Sequence, residues 1–150
     1  MGNSAEPITD TDVAARQEAL RLDFAVSLNE EHVTLQVATQ VASIALGERT
    51  HHYSVLALAR HRLRDAERGL DLSSQGWIET AELAQSLGID EAHLNIHIFR
   101  ARTQFRRAIA ATGQAPELIE RRRRELRIGS LYFQITRGSA LEGRFWPSTH

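Results

Sequence analysis

The stretch TAELAQSLGIDEAHLNIHIFRARTQFRRAI, Thr80–Ile109, decides the fold. It sets a short apolar-faced segment, a glycine and a longer arginine-rich segment in a row. In the first segment Leu83, Ala84 and Leu87 supply one apolar face, Thr80 caps it and Glu82 suits its first turn. Gly88 provides the left-handed residue that helix ends favour, and Asp90 caps the next helix, expected over about 91–109. Wound at ~100° per residue, that helix places Leu94, Ile98, Ala101, Phe105 and Ile109 on one stripe. Its opposite face carries Ile96, Phe99, Arg100, Thr103, Arg106 and Arg107. A solvated face is mostly polar, whereas this one mixes two large apolar residues with three arginines. Arginine grips phosphates and guanine edges, and apolar side chains touch thymine methyls. The same mixture is enriched at protein interfaces. A helix-turn-helix follows, with either DNA or a protein as its partner.

Upstream, THHYSVLALARHRLRDAERGLD reads as a further helix, with Leu56, Ala59, Leu63, Ala66 and Leu70 as its seam. Thr50 is its expected cap and Gly69 its stop. His51 and His52 fall in its first turn and point apart. Arg60, Arg62, Arg64 and Arg68 flank the seam. DLSSQGW is a loop that ends on Trp77, read as a core anchor. Earlier still the period is two: Leu20, Leu22, Phe24, Val26 and Leu28, then Val33, Leu35 and Val37 after a turn-like NEE. These form a hairpin, and QVASIAL is a third strand that Gly47 interrupts.

Downstream, TGQAP is a loop, and ELIERRRRELRIGSLYFQI supplies hairpin strands over about 118–135. Leu118, Ile119, Leu126, Ile128, Tyr132, Phe133 and Ile135 are its strand residues. Arg121, Arg122, Arg123 and Arg124 sit at or near the turn, where they either hold phosphates or form a solvated turn balanced by Glu120 and Glu125. The organisation is a flexible segment 1–17, one domain 18–137 and a tail 138–150. Phe145 and Trp146 in the tail either bury against the sheet or serve as an interaction anchor.

Composition narrows the function. The chain has 150 residues, 42% hydrophobic and 25% charged, as in soluble globular domains. No run would span a membrane and no signal-peptide pattern is present, so a cytoplasmic location is expected. Cysteine is absent, which excludes disulfides and thiol chemistry. His93 and His97 have a zinc-compatible spacing but no evident third ligand. No phosphate loop, nucleophile elbow or perturbed carboxylate pair is visible. Neither metal, cofactor nor enzymatic activity is expected. The net charge of −1 hides an asymmetry, because residues 91–137 hold ten arginines against four glutamates. That basic end is a footprint for an anionic partner, or for acidic surface within the fold or a dimer.

The order of strands, helix, helix-turn-helix and basic hairpin resembles the winged helix-turn-helix of OmpR/PhoB response-regulator effector domains. LNIHIFRARTQF resembles that family's recognition helix, ELIERRRRELRIG its wing, and WIETAELAQSLGID stands where its second helix would be. GERTHHYSVLALARHRL, QGWIETAEL and IERRRRELRIG also give the chain the look of segments C-terminal to forkhead-associated domains in bacterial proteins. The resemblance implies an α+β fold with an N-terminal antiparallel sheet, three helices and a C-terminal hairpin wing. It implies a bacterial transcription regulator that binds duplex DNA. By position, Ile96, Arg100, Thr103 and Arg107 would face the groove, with Phe99 and Arg106 beside them. Arg121–Arg124 would touch the backbone. Phe99 departs from the family's polar or basic residue, and Asn95 from its acidic one. The alternative is a winged-helix adaptor that binds a protein, or itself, through the same helix face or the tail.

Overall fold

The computed structural model describes residues 20–147, so the expected flexible segment 1–17 lies outside the described residues. The described residues form an α+β domain, with three α-helices and two sheets among them. Strands β1 (Arg21–Val26), β2 (Val33–Ala38) and β3 (Ser43–Glu48) form a meander. Their alternation is that of a sheet with one buried face. Leu22, Phe24, Val26, Val33, Leu35 and Val37 are buried, while Ala25, Thr34 and Gln36 are exposed. Gly47 does not interrupt β3 as expected. It sits at a bulge with φ of 73°, and the strand runs on to Glu48.

Helix α1 (His52–Glu67) follows. Its N-cap position is His51, with no side-chain cap bond, rather than the expected Thr50. Its seam packs against β6, α3 and β2. The two-residue strand β4 (Ile78–Glu79) leads into α2 (Thr80–Leu87). Thr80 is the first residue of α2 rather than its cap. Its N–H and Oγ1 both donate to the Arg124 carbonyl, at 2.9 and 3.2 Å. Gly88 stops α2 with φ of 72°. Asp90 caps α3 (Glu91–Ile109), its carboxylate accepting from the His93 N–H at 2.7 Å. A single 3-10 turn (Ala110–Thr112) ends α3.

Strands β5 (Ile119–Arg122) and β6 (Glu125–Ile128) form the arginine hairpin, and β4 pairs with β6 to complete a three-stranded sheet. The hairpin is therefore shorter than the expected 118–135. At Gly129 the chain presses against the Glu117 carbonyl oxygen, leaving no space for a Cβ, and turns away. Tyr132, Phe133 and Ile135 belong instead to β7 (Tyr132–Arg137), which pairs parallel with β1. The expected antiparallel sheet is thus a mixed one, in the order β3-β2-β1-β7-β8.

The expected tail is in part structural, since β8 (Ala140–Phe145) pairs antiparallel with β7. Phe145 is buried, its ring stacked on Phe133 at 5.1 Å. Trp146 stays half in solvent with its edge against Tyr132. Both outer strands of this sheet, β3 and β8, belong to bulged pairs, a device that hinders edge-to-edge association. One continuous core joins the sheet to all three helices and the hairpin.

Candidate nucleic-acid interface

Helix α3 separates its two faces as its sequence predicts. Leu94, Ile98, Ala101, Phe105 and Ile109 are each at most 2% exposed. On the other side Phe99 is 69% and Ile96 47% exposed. Arg100, Arg106 and Arg107 are exposed beside them, and Thr103 is half-buried. At 3.6 residues per turn these six residues span roughly a third of the helix circumference. None of them is acidic.

The hairpin flanks this face. Arg121 Nη2 lies 3.5 Å from Asn95 Oδ1, which brings β5 to the N-terminal half of α3. Arg121, Arg122, Arg123 and Arg124 are all exposed, but they do different things. Arg122 is engaged by the fold: its guanidinium lies 4.1 Å over the Trp77 ring and 2.7 Å from the Glu125 carboxylate. Arg124 adopts a left-handed φ of 56°, and its carbonyl holds the start of α2. The hairpin tip is thereby fastened to the helix pair. Trp77 is not the core anchor expected of it. Half-buried, it lies beneath the guanidiniums of Arg122 and, at 4.4 Å, Arg127.

Ion pairing decides which arginines remain available. Within residues 91–137, Arg102 pairs with Glu117, Arg122 with Glu125, Arg127 with Glu120 and Arg137 with Glu30, at 3.3, 2.7, 2.6 and 3.2 Å. The other six of the ten arginines have no carboxylate within salt-bridge distance among the described residues. They are Arg100, Arg106 and Arg107 on α3, and Arg121, Arg123 and Arg124 on the hairpin. The local excess of positive charge is thus concentrated on one helix face and the hairpin beside it. Guanidiniums so placed suit phosphate oxygens, which a planar fork can hold bidentately.

Two supports of this surface are hidden in the sequence. The first is Arg62, which flanks the seam of α1 and is fully buried. Its fork reaches Gln75 Oε1 at 3.0 Å, the Ile128 carbonyl at 2.8 Å, the Leu72 carbonyl at 3.3 Å and Ser130 Oγ at 3.1 Å. Arg127 shares the Leu72 carbonyl, at 2.8 Å. Burial, and then the Arg127 charge, lower the Arg62 pKa to about 10. Together these two arginines lace the loop after α1 to the hairpin.

The second support is a histidine cluster at the start of α1. His51 and His52 do not point apart, because both Nε2 atoms lie 2.8 Å from Gln104 Oε1 on α3. Gln104 Nε2 in turn donates to the Leu46 carbonyl of β3 at 2.8 Å. His97 Nδ1 sits 3.4 Å from Ser54 Oγ. Burial lowers the pKa of His52 and of His97. Among the described residues no group of three or more His, Cys, Asp or Glu is arranged to hold a metal ion. No described helix is long and apolar enough to cross a membrane.

Comparison with protein-family models, with curated proteins and with solved structures gave no match.

Proposed function

We propose that this chain is a duplex-DNA-binding module of the winged helix-turn-helix kind, serving transcription regulation in a bacterium. α3 is its recognition helix and β5–β6 its wing. The observation that carries the proposal is the sorting of arginines. Those with carboxylate partners brace the fold, and the six without are gathered on the outward face of α3 and on the adjoining hairpin. A duplex offers regularly spaced phosphates to such a surface, and phosphate contacts fix position and register. The succession α1, β4, α2, α3, β5, β6 with a β4-β6-β5 sheet supports the winged reading.

Fluorescence-anisotropy titration with a short random-sequence duplex at several salt concentrations tests it. Binding weakens with salt, and Arg123→Ala or Arg107→Ala flattens the log–log slope by about 0.9 for each phosphate no longer neutralised. Arg122→Ala leaves the slope unchanged, since that guanidinium is committed to Glu125 and Trp77. Absence of salt-dependent binding refutes the proposal. The exposure of Phe99 and Ile96 favours a second reading, an adaptor that docks a protein or a second copy on this face. In that case Phe99→Ala changes the solution mass measured by light scattering, and duplex binding is absent.

A further inference from the structure

We infer that the α3 face reads thymine through its C5-methyl group, with Phe99 and Ile96 as the reading side chains. The inference rests on the duplex-binding reading above and concerns what that duplex must contain.

Base edges in the major groove are read selectively by an amide for adenine, an arginine or lysine for guanine, a carboxylate for cytosine and an apolar surface for the thymine methyl, while serine and threonine hydroxyls discriminate little. The outward face of α3 holds no acidic residue. The helix has two amide side chains, of which Gln104 is held by the fold and Asn95 is exposed beside the hairpin. Asn95 Oδ1 faces Arg121. Gln104 Oε1 lies against His51 and His52, while its Nε2 donates to the Leu46 carbonyl. An amide-to-adenine contact from Gln104 would have to break its bonds to the histidines and to β3, which leaves Asn95, at the edge of the face, as the one amide in reach. What remains on the face is arginine, apolar surface and the half-buried hydroxyl of Thr103, which does not distinguish one base from another.

Phe99 and Ile96 are two of the six exposed large hydrophobic residues among the described residues. They are three positions apart on one helix, a rise of about 4.5 Å, so they address neighbouring base pairs rather than one. Arg100 follows Phe99 directly and has no carboxylate partner among the described residues. The apolar pair is therefore held at a polyanion by charge. An apolar side chain so placed gains by covering a methyl and gains little over a bare pyrimidine edge.

The test changes the DNA before it changes the protein. Random-sequence duplexes are synthesised with thymine, and again with uracil in every thymine position. Uracil keeps the hydrogen-bonding edge and lacks only the methyl. The unaltered protein binds the uracil duplex about fourfold more weakly for each methyl it covers. Duplexes of G·C pairs bind more tightly when cytosine is replaced by 5-methylcytosine. Phe99→Ala, and Ile96→Ala with it, abolish both differences. Arg123→Ala weakens binding to all duplexes and keeps the discrimination. Equal, salt-dependent binding of thymine and uracil duplexes by the unaltered protein overturns the methyl reading and leaves duplex binding standing. No salt-dependent binding to either duplex overturns both.

Discussion

Replacing Arg62 separates the worth of its stem from that of its charge. Arg62→Met keeps most of the stem volume and removes the fork. Two buried acceptors, Gln75 Oε1 and the Ile128 carbonyl, lose a donor. Each unmade bond costs about 1–3 kcal/mol. The Leu72 carbonyl keeps Arg127, and exposed Ser130 is open to water. In the other direction, a cation leaves a site where burial has lowered its pKa to about 10 from 12.5, an opposition worth roughly 3 kcal/mol. The two contributions largely offset, so Arg62→Met lies within about 3 kcal/mol of the original chain. Arg62→Ala loses the same fork and also leaves a hole two methylenes deep beside Gly76, a further ~2–3 kcal/mol. Urea unfolding of the three proteins measures this. Equal midpoints for the Met and Ala variants, or a Met variant less stable than Ala, would refute the reasoning, because the stem would then contribute no packing.

Phe105 is 2% exposed in the core stripe of α3, so Phe105→Ala lowers the unfolding free energy by about 3–5 kcal/mol in the same assay. His52 has its pKa held down chiefly by burial, with Gln104 opposing. The unfolded chain therefore takes up a proton first as pH falls. Stability is full above the unfolded value of about 6.5 and declines as pH drops through the folded pKa below it. His52→Phe flattens that acid limb, as a pH series of urea midpoints will record. Gly129→Ala drives a methyl into the Glu117 carbonyl oxygen. It destabilises by more than about 2 kcal/mol, read as a fall in melting temperature.

The helices were legible because their two faces differ in kind. Leu94, Ile98, Ala101, Phe105 and Ile109 could only be an inward stripe, and Ile96 and Phe99 had no place in it. β8 was not legible, for a physical reason. Its inward position at Gly143 shows no apolar side chain because Leu63 of α1 occupies that space. With glycine at one inward position and Phe145 inward only at the strand's last residue, β8 offers no alternation to read. β7 was legible as a strand but not as a member of its sheet, since a period of two is the same beside β6 as beside β1. The burial of Arg62 was not legible, because arginine ordinarily lies in solvent. Its acceptors come from residues 72, 75, 128 and 130, which only the fold brings together. Likewise His51 and His52 meet through Gln104, more than fifty residues further along the chain. The candidate surface was legible residue by residue, but the division of its arginines into bracing and free was not.

The parallel pairing of β1 with β7 has a consequence for the order of events as the chain is made. Phe24 lies opposite Ile135, so β1 leaves the ribosome more than a hundred residues ahead of its neighbour. During that interval the β1–β2–β3 meander exists with one long side of β1 unclaimed, presenting the backbone groups that β7 later takes. Strands left open in this way recruit other chains, and pairings so distant in sequence form slowly. The helices and the arginine hairpin, lying between the two strands, are complete before the sheet is. A chain stopped short of Tyr132 would carry the whole arginine surface on a body that could not close.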